Sequence, residues 1–207
     1  KVIDNTLRDF RLSGIALGAA EKKRYGELQQ RLSELTTKFS ENVMDATDGW
    51  SKLISDEAEL AGLPQSALAS ARQLAEAKGL EGWLVTLDFP SYYAVITYAD
   101  NRELRRELYE AFVTRASDQG PHAGQWDNSE IMTEILTLRA ELAQLLGFEN
   151  YAVYSLATKM AETPEQVVRF LNDLAGMSRP QAGKAYQQLT DLSLAAVSPP
   201  ELGAQAY

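Results

Sequence analysis

The sequence contains no cysteine and only one histidine, His122, among its 207 residues. Structural disulfides and cysteine nucleophiles are therefore excluded. Zinc sites made of four cysteines, of cysteine and histidine pairs, or of three histidines cannot be assembled, and neither can a zinc helix of the H-E-x-x-H type. Catalysis by this chain alone would have to use carboxylates, hydroxyls, Lys, Arg or the one imidazole.

Positive charge is also scarce, with 20 Lys and Arg residues against 29 Asp and Glu residues and a net charge of -9. Nucleic acids and anionic membranes attract clustered positive charge, so we expect neither as a partner. No apolar run approaches the ~18–20 residues that a membrane-spanning helix needs. The first residues, Lys1-Val2-Ile3-Asp4, resemble no signal peptide and lack an initiator methionine. We therefore expect a cytoplasmic protein that was either processed or cut from a longer one.

Helical periodicity dominates the rest of the sequence. From Glu21 to Val43 apolar residues recur at steps of three and four, which predicts a helix of more than twenty residues that ends near Asp48-Gly49. Caps and apolar stripes predict further helices over 64–79, from Asp100 or Asn101 to 112, over 128–147 and from 163 onward. The fold class that follows is mainly α, a multi-helix array with one short β-ribbon.

The ribbon is predicted from two short segments. Trp83, Val85 and Leu87 alternate on one face of a strand that ends before Pro90. Residues 50–54 form the short extended segment with which this strand can pair.

The last predicted helix begins with a Thr cap, a proline in the first turn and a glutamine at the capping-box position, in Thr163-Pro164-Glu165-Gln166. Its buried stripe is expected to comprise Val167, Phe170 or Leu171, Leu174 and Met177. Residues 181–207 are alanine-rich and carry only three charged side chains. We therefore expect a domain over 1–180 and an atypical tail over 181–207, which is truncated or non-native and can form a helix over 187–197.

No catalytic residue or metal ligand emerges from the motifs. His122 lies in the loop Gly120-Pro121-His122-Ala123-Gly124, where a general base could sit, yet no G-x-S-x-G motif exists to partner it. A loop histidine without a catalytic role is therefore favoured. Carboxylates on polar helix faces favour a solvated surface, and the three tryptophans favour core packing over ligand stacking.

Ten stretches nevertheless have a recognisable wording. They are Leu28–Leu35, Phe39–Val43, Asp56–Pro64, Asn101–Arg105, Arg115–Pro121, Trp126–Asn128, Leu138–Arg139, Leu145–Phe148, Asn150–Ala152 and Leu156–Ala161. Together they resemble the thimet oligopeptidase family of zinc peptidases. The resemblance covers roughly residues 1–180. Over 115–128 it is greater to the bacterial oligopeptidases of the family than to its dipeptidyl carboxypeptidases.

This resemblance implies a helical, two-lobed metalloendopeptidase whose deep channel admits short peptides. In the family two histidines of an H-E-x-x-H helix and a later glutamate hold Zn²⁺, and none of these residues can be carried over to this sequence. The resemblance therefore implies the non-catalytic helical lobe, which forms a channel wall, needs the remaining catalytic lobe as its partner and is inactive alone. A stand-alone helical binding or scaffold module is the alternative.

Four polar residues lie in the best-matched stretches: Arg115, Asp127, Asn128 and Arg139. We expect them to make structural hydrogen bonds rather than substrate contacts. Asn128 is predicted to cap the helix that follows it.

Overall fold

Eight α-helices and one two-stranded sheet make up residues 2–196, the part of the chain that this computed structural model describes. The helices are α1 (Val2–Leu12), α2 (Ala19–Asp48), α3 (Gln65–Ala77), α4 (Phe89–Tyr98), α5 (Arg102–Val113), α6 (Ser129–Leu145), α7 (Tyr151–Leu156) and α8 (Pro164–Ala196). The strands are β1 (Ser51–Ile54) and β2 (Trp83–Thr86), and a short 3₁₀ helix spans Glu57–Leu60. The predicted mainly α fold with one β-ribbon is confirmed.

The ribbon pairs as expected. Strands β1 and β2 are antiparallel, with Ser51 opposite Thr86 and Ile54 opposite Trp83. Ile54, Leu84 and Val85 are buried, so the ribbon contributes to a core instead of standing free in solvent.

Three helices were not expected from the sequence: α1, α4 and α7. Pro90, before which the sequence predicts the end of a strand, lies in the first turn of α4. A proline is tolerated there because the first helical N–H groups have no partner within the helix. The strand itself ends earlier, at Thr86. Among their described residues, neither α1 nor α7 contains a buried side chain.

The described residues divide into two compact units. The second unit, residues 33–134, contains an apolar core built by the ribbon, the 3₁₀ helix, α4 and α5. Its members are Trp50, Ile54, Leu60, Leu63, Val85, Leu87, Val95, Ala99, Leu104, Leu108 and Ala111. The first unit comprises residues 2–32 and 135–196. It contains α1, the start of α2, most of α6, and the whole of α7 and α8.

Helix α8 contradicts one expectation about burial. Its capping box forms, since the Thr163 hydroxyl accepts from the Gln166 N–H at 3.2 Å and the Gln166 side chain accepts from the Glu162 N–H at 2.8 Å. The stripe predicted to be buried is instead exposed at Phe170, Leu171, Leu174 and Met177 and half-buried at Val167, because no element among residues 2–196 covers it.

The helix continues through residue 180 as far as Ala196, so the part of the proposed 187–197 helix up to residue 196 is helical. Residues 197–207 of the expected tail lie outside the described residues, and the boundary at residue 180 stays a prediction. Within residues 2–196, no helix combines the length and the apolar character that crossing a membrane requires.

Candidate functional site

The loop between α5 and α6 in the second unit holds three of the four polar candidates. Arg115 lies at its start, where its Nε donates to the Phe112 carbonyl at 2.8 Å and its Nη1 donates to Thr47 Oγ1 at 3.0 Å. The guanidinium carbon lies 3.6 Å from the centre of the Phe112 ring. Burial lowers the pKa of Arg115, but the guanidinium stays charged at neutral pH because its ordinary pKa is so high. Arg115 therefore joins the start of the loop to α2.

Asn128 closes the other end of the same loop. Its backbone N–H donates to the Ala116 carbonyl at 3.0 Å, and its side chain is 2% exposed. Its Oδ1 accepts from Asn42 Nδ2 at 2.9 Å, and its Nδ2 donates to the Phe39 carbonyl at 3.2 Å. Since a buried amide without partners costs about 1–3 kcal/mol, this pair is a matched structural contact between the loop and α2.

Asp127 supplies the cap that the sequence assigned to its neighbour. Its carboxylate accepts from the Ser129 N–H at 2.8 Å and from the Ser129 hydroxyl at 2.6 Å. These two hydrogen bonds lower the pKa of Asp127. The expectation that the Asn128 side chain caps α6 is wrong, because that side chain is engaged in the buried amide pair instead.

The only histidine lies within this loop, against an aromatic ring. His122 Nδ1 is 3.0 Å from Gln125 Oε1, and its ring centre is 5.6 Å from that of Trp126. Trp126 in turn reaches Gly49 so closely that a Cβ there would lie 2.3 Å from its ring. The contacts of His122 are thus with Gln125 and Trp126, two residues of its own loop.

The fourth candidate, Arg139, belongs to the first unit. Its guanidinium carbon lies 5.0 Å from the centre of the Tyr151 ring. Nearby in the sequence, Glu141 forms a two-pronged ion pair with Arg24, at 2.6 and 2.8 Å. This hydrogen bonding lowers the pKa of Glu141 and raises that of Arg24. The first unit thus uses its charged groups to join α6 to α2 and α7.

A groove of about 490 Å³ lies in the second unit between α3 and α4, with β2 as its floor. Its walls are mostly apolar, and Asp88 is the charged residue among those that line it. The Thr86 hydroxyl donates to Asp88 at 2.9 Å, and Ser91 Oγ accepts from the Thr86 N–H at 3.0 Å. These polar groups are satisfied within the wall, so the groove offers apolar surface and no poised catalytic group.

No group of three or more His, Cys, Asp or Glu side chains in the described part of the chain is placed to hold a metal ion. These residues therefore do not fit a metal centre.

Asn42 was the partner that sequence reasoning missed. It follows Leu28, Leu32, Leu35 and Phe39 at the next helical step, and it is buried as the first three of them are. A polar residue in phase with a buried apolar stripe is the signal that could have identified it.

The comparisons with known proteins place these features in a family. The family model described as "Peptidase family M3" matches residues 95–202, slightly more than half of the chain. The chain belongs to this family. The resemblance inferred from the sequence is therefore confirmed.

Three relatives show how far the sequence identity varies within the family. Oligopeptidase A of Escherichia coli is 65% identical over 189 residues, which are 91% of this chain and 28% of that protein. The probable cytosolic oligopeptidase A of Arabidopsis thaliana is 44% identical over 199 residues, 93% of the chain and 27% of the relative. The dipeptidyl carboxypeptidase of Escherichia coli is 30% identical over 174 residues, 84% of the chain and 25% of the relative. The greater similarity to the bacterial oligopeptidases is confirmed, and the chain spans only about a quarter of the length of these relatives.

Proposed function

We propose that this member of peptidase family M3 is part of a zinc-dependent metalloendopeptidase that hydrolyses short peptides in the cytoplasm. In this proposal the chain forms a wall of the substrate channel and is inactive alone. The observation that carries it is the 65% identity to oligopeptidase A of Escherichia coli over 91% of the chain.

The side chains described above support a division of roles between this chain and the rest of the protein. Arg115, Asp127 and Asn128 hydrogen-bond to neighbouring protein groups, which supports a structural role for them. Arg139 lies against Tyr151. The described residues provide no metal centre, so zinc binding and catalysis are assigned to the remaining lobe of the complete protein, and short peptides are bound by the complete channel. The cytoplasmic location rests on the similarity to a relative named as cytosolic.

A peptide-cleavage assay tests this function. We expect the purified chain to leave a short quenched fluorescent peptide intact, with or without added zinc, and the complete protein to cleave it until a chelator removes the metal. Chelator-sensitive cleavage by the chain alone would overturn the proposed inactivity. Chelator-resistant cleavage that His122→Ala abolishes would instead identify a histidine-dependent hydrolase. A complete gene product without peptidase activity would favour the helical binding module.

A further inference from the structure

Helix α8 presents a continuous exposed seam along its length. Positions recur at alternating steps of three and four residues, and all of them are exposed. They are Val168, Leu171, Ala175, Ser178, Ala182, Ala185, Leu189 and Leu192. This is the spacing by which one helix packs along another, because a repeat of about 3.5 residues keeps the same face toward a partner.

The chemistry of the seam changes along the helix. Large apolar side chains occupy both ends, and small side chains occupy the middle, where a partner backbone can approach closely. Pro180, the one proline inside this helix, falls on the opposite face at 3.6 residues per turn. The residue most disruptive to helix geometry therefore lies away from the seam.

The exposed apolar surface is wider than the seam. Leu174 and Tyr186 flank it and are 49% and 71% exposed. One partner helix of a two-stranded coiled coil covers mainly the seam itself, so this width indicates a partner surface built from more than one helix.

The flanking charges argue against a second copy of this chain as the partner. Arg179 is the only charged residue at the positions that border the seam, so two parallel copies have no opposite charges there to fix their register. Two antiparallel copies would centre near residue 180 and bring Arg179 of each copy close to the other, which is unfavourable.

We propose that the seam of α8 is the docking surface for helices of the part of the complete protein that lies outside this chain. The proposal rests on the proposed function, because it needs a longer parent protein. The chain spans 28% of the length of the Escherichia coli relative, which leaves a large body to cover this face. Six of the nine large apolar side chains exposed on this helix lie on the seam or flank it, which makes a patch of the kind that marks an interface.

Thiol labelling tests the docking surface, since the chain contains no cysteine of its own. Ala182→Cys places a thiol in the middle of the seam, and Gln187→Cys places a control thiol on the opposite, exposed face of the same helix. Each substitution is made in the 207-residue chain and in the complete protein, and the labelling rate is followed by mass spectrometry of the α8 peptide.

We expect the seam thiol to react at least about tenfold more slowly in the complete protein than in the chain. The docked surface must open before the thiol becomes accessible to the reagent. The control thiol should react at similar rates in both. Equal rates for the seam thiol would overturn the docking surface. Protection in the chain alone that grows with concentration would identify a second copy as the partner and overturn the proposed occupant. Peptidase activity of the unsubstituted complete protein is measured in parallel, so that a failure of the proposed function is distinguished from a failure of the docking surface.

Discussion

The two units of the chain are similar in length but differ in whether their apolar side chains are buried or exposed. Of the 21 buried apolar residues among the described residues, sixteen belong to the second unit and five to the first. Of the 24 large apolar side chains that are exposed, sixteen belong to the first unit and eight to the second. The second unit contains its own core, whereas the first presents apolar faces that nothing in residues 2–196 covers.

This difference shows what amphipathic patterning can and cannot tell. Burial of apolar surface contributes roughly 25 cal/mol per Å², so a helix with an apolar face is expected to bury it against something. The pattern does not say whether the covering element belongs to the same segment. The apolar residues of α5 meet the core of the second unit, while those of α8 stay exposed.

The largest expected effect comes from removing a core side chain of the second unit. Leu108 is 0% exposed, so Leu108→Ala should lower the free energy of unfolding of that unit by about 3 kcal/mol. Leu189 on α8 is 66% exposed, so Leu189→Ala should change the free energy of unfolding by less than about 0.5 kcal/mol.

Both variants are measured by denaturant unfolding with far-UV circular dichroism and tryptophan fluorescence. All three tryptophans, Trp50, Trp83 and Trp126, lie in the second unit, so fluorescence reports that unit alone. Equal destabilisation by the two substitutions would contradict the contrast between a self-contained core and an uncovered face.

The elements with strong local signals could be predicted from the sequence. Helix α2 has a long apolar stripe, and α6 is followed by Gly147 in a left-handed conformation with φ of 80°. Of the two caps predicted for α5, Asp100 or Asn101, the structure has Asn101. The Asn101 side chain accepts from the Leu104 N–H at 3.1 Å. Such signals depend on neighbouring residues in the chain, which is why they are visible in one sequence.

The elements that were missed depend on tertiary contacts. Helix α4 contains a proline and two adjacent tyrosines, and the Val95 side chain it buries belongs to a core made by distant segments. At the candidate site, the four polar residues could be selected from the sequence, and the phase of Asn42 with the apolar stripe of α2 is a usable signal. The pairing of Asn128 with Asn42 and of Arg115 with Thr47 could not be predicted, because it depends on the fold. Asn128 looked like a cap because of its position, and only the fold shows that its amide faces α2.

A smaller effect is expected from the buried amide pair. Asn128→Ala removes the hydrogen-bond partner of the Asn42 amide and of the Phe39 carbonyl. We therefore expect the free energy of unfolding of the second unit to fall by about 1–3 kcal/mol. Tryptophan fluorescence during denaturant unfolding measures the loss.

The exposed Asn172 on α8 offers a matched control, since Asn172→Ala removes the same group in the first unit. It should leave the fluorescence-detected transition unchanged. A loss from Asn172→Ala as large as that from Asn128→Ala would mean that amide burial is not what distinguishes the two sites.

The smallest expected effect is a pH dependence confined to the second unit. The pKa of Asp127 is lowered in the folded state by its hydrogen bonds from Ser129. Its stabilisation is therefore fully present above the unfolded-state pKa of about 3.9 and is lost as the pH falls through the lower folded-state pKa. Asp127→Asn should destabilise the fluorescence-detected transition at pH 7, and its difference from the unsubstituted chain should shrink below about pH 4.

Glu141 is the matched control, because the Arg24 hydrogen bonds lower its pKa in the same direction but in the first unit. Glu141→Gln should leave the pH dependence of tryptophan fluorescence intact and change only the circular dichroism signal. If both substitutions alter the fluorescence transition equally, the units unfold together.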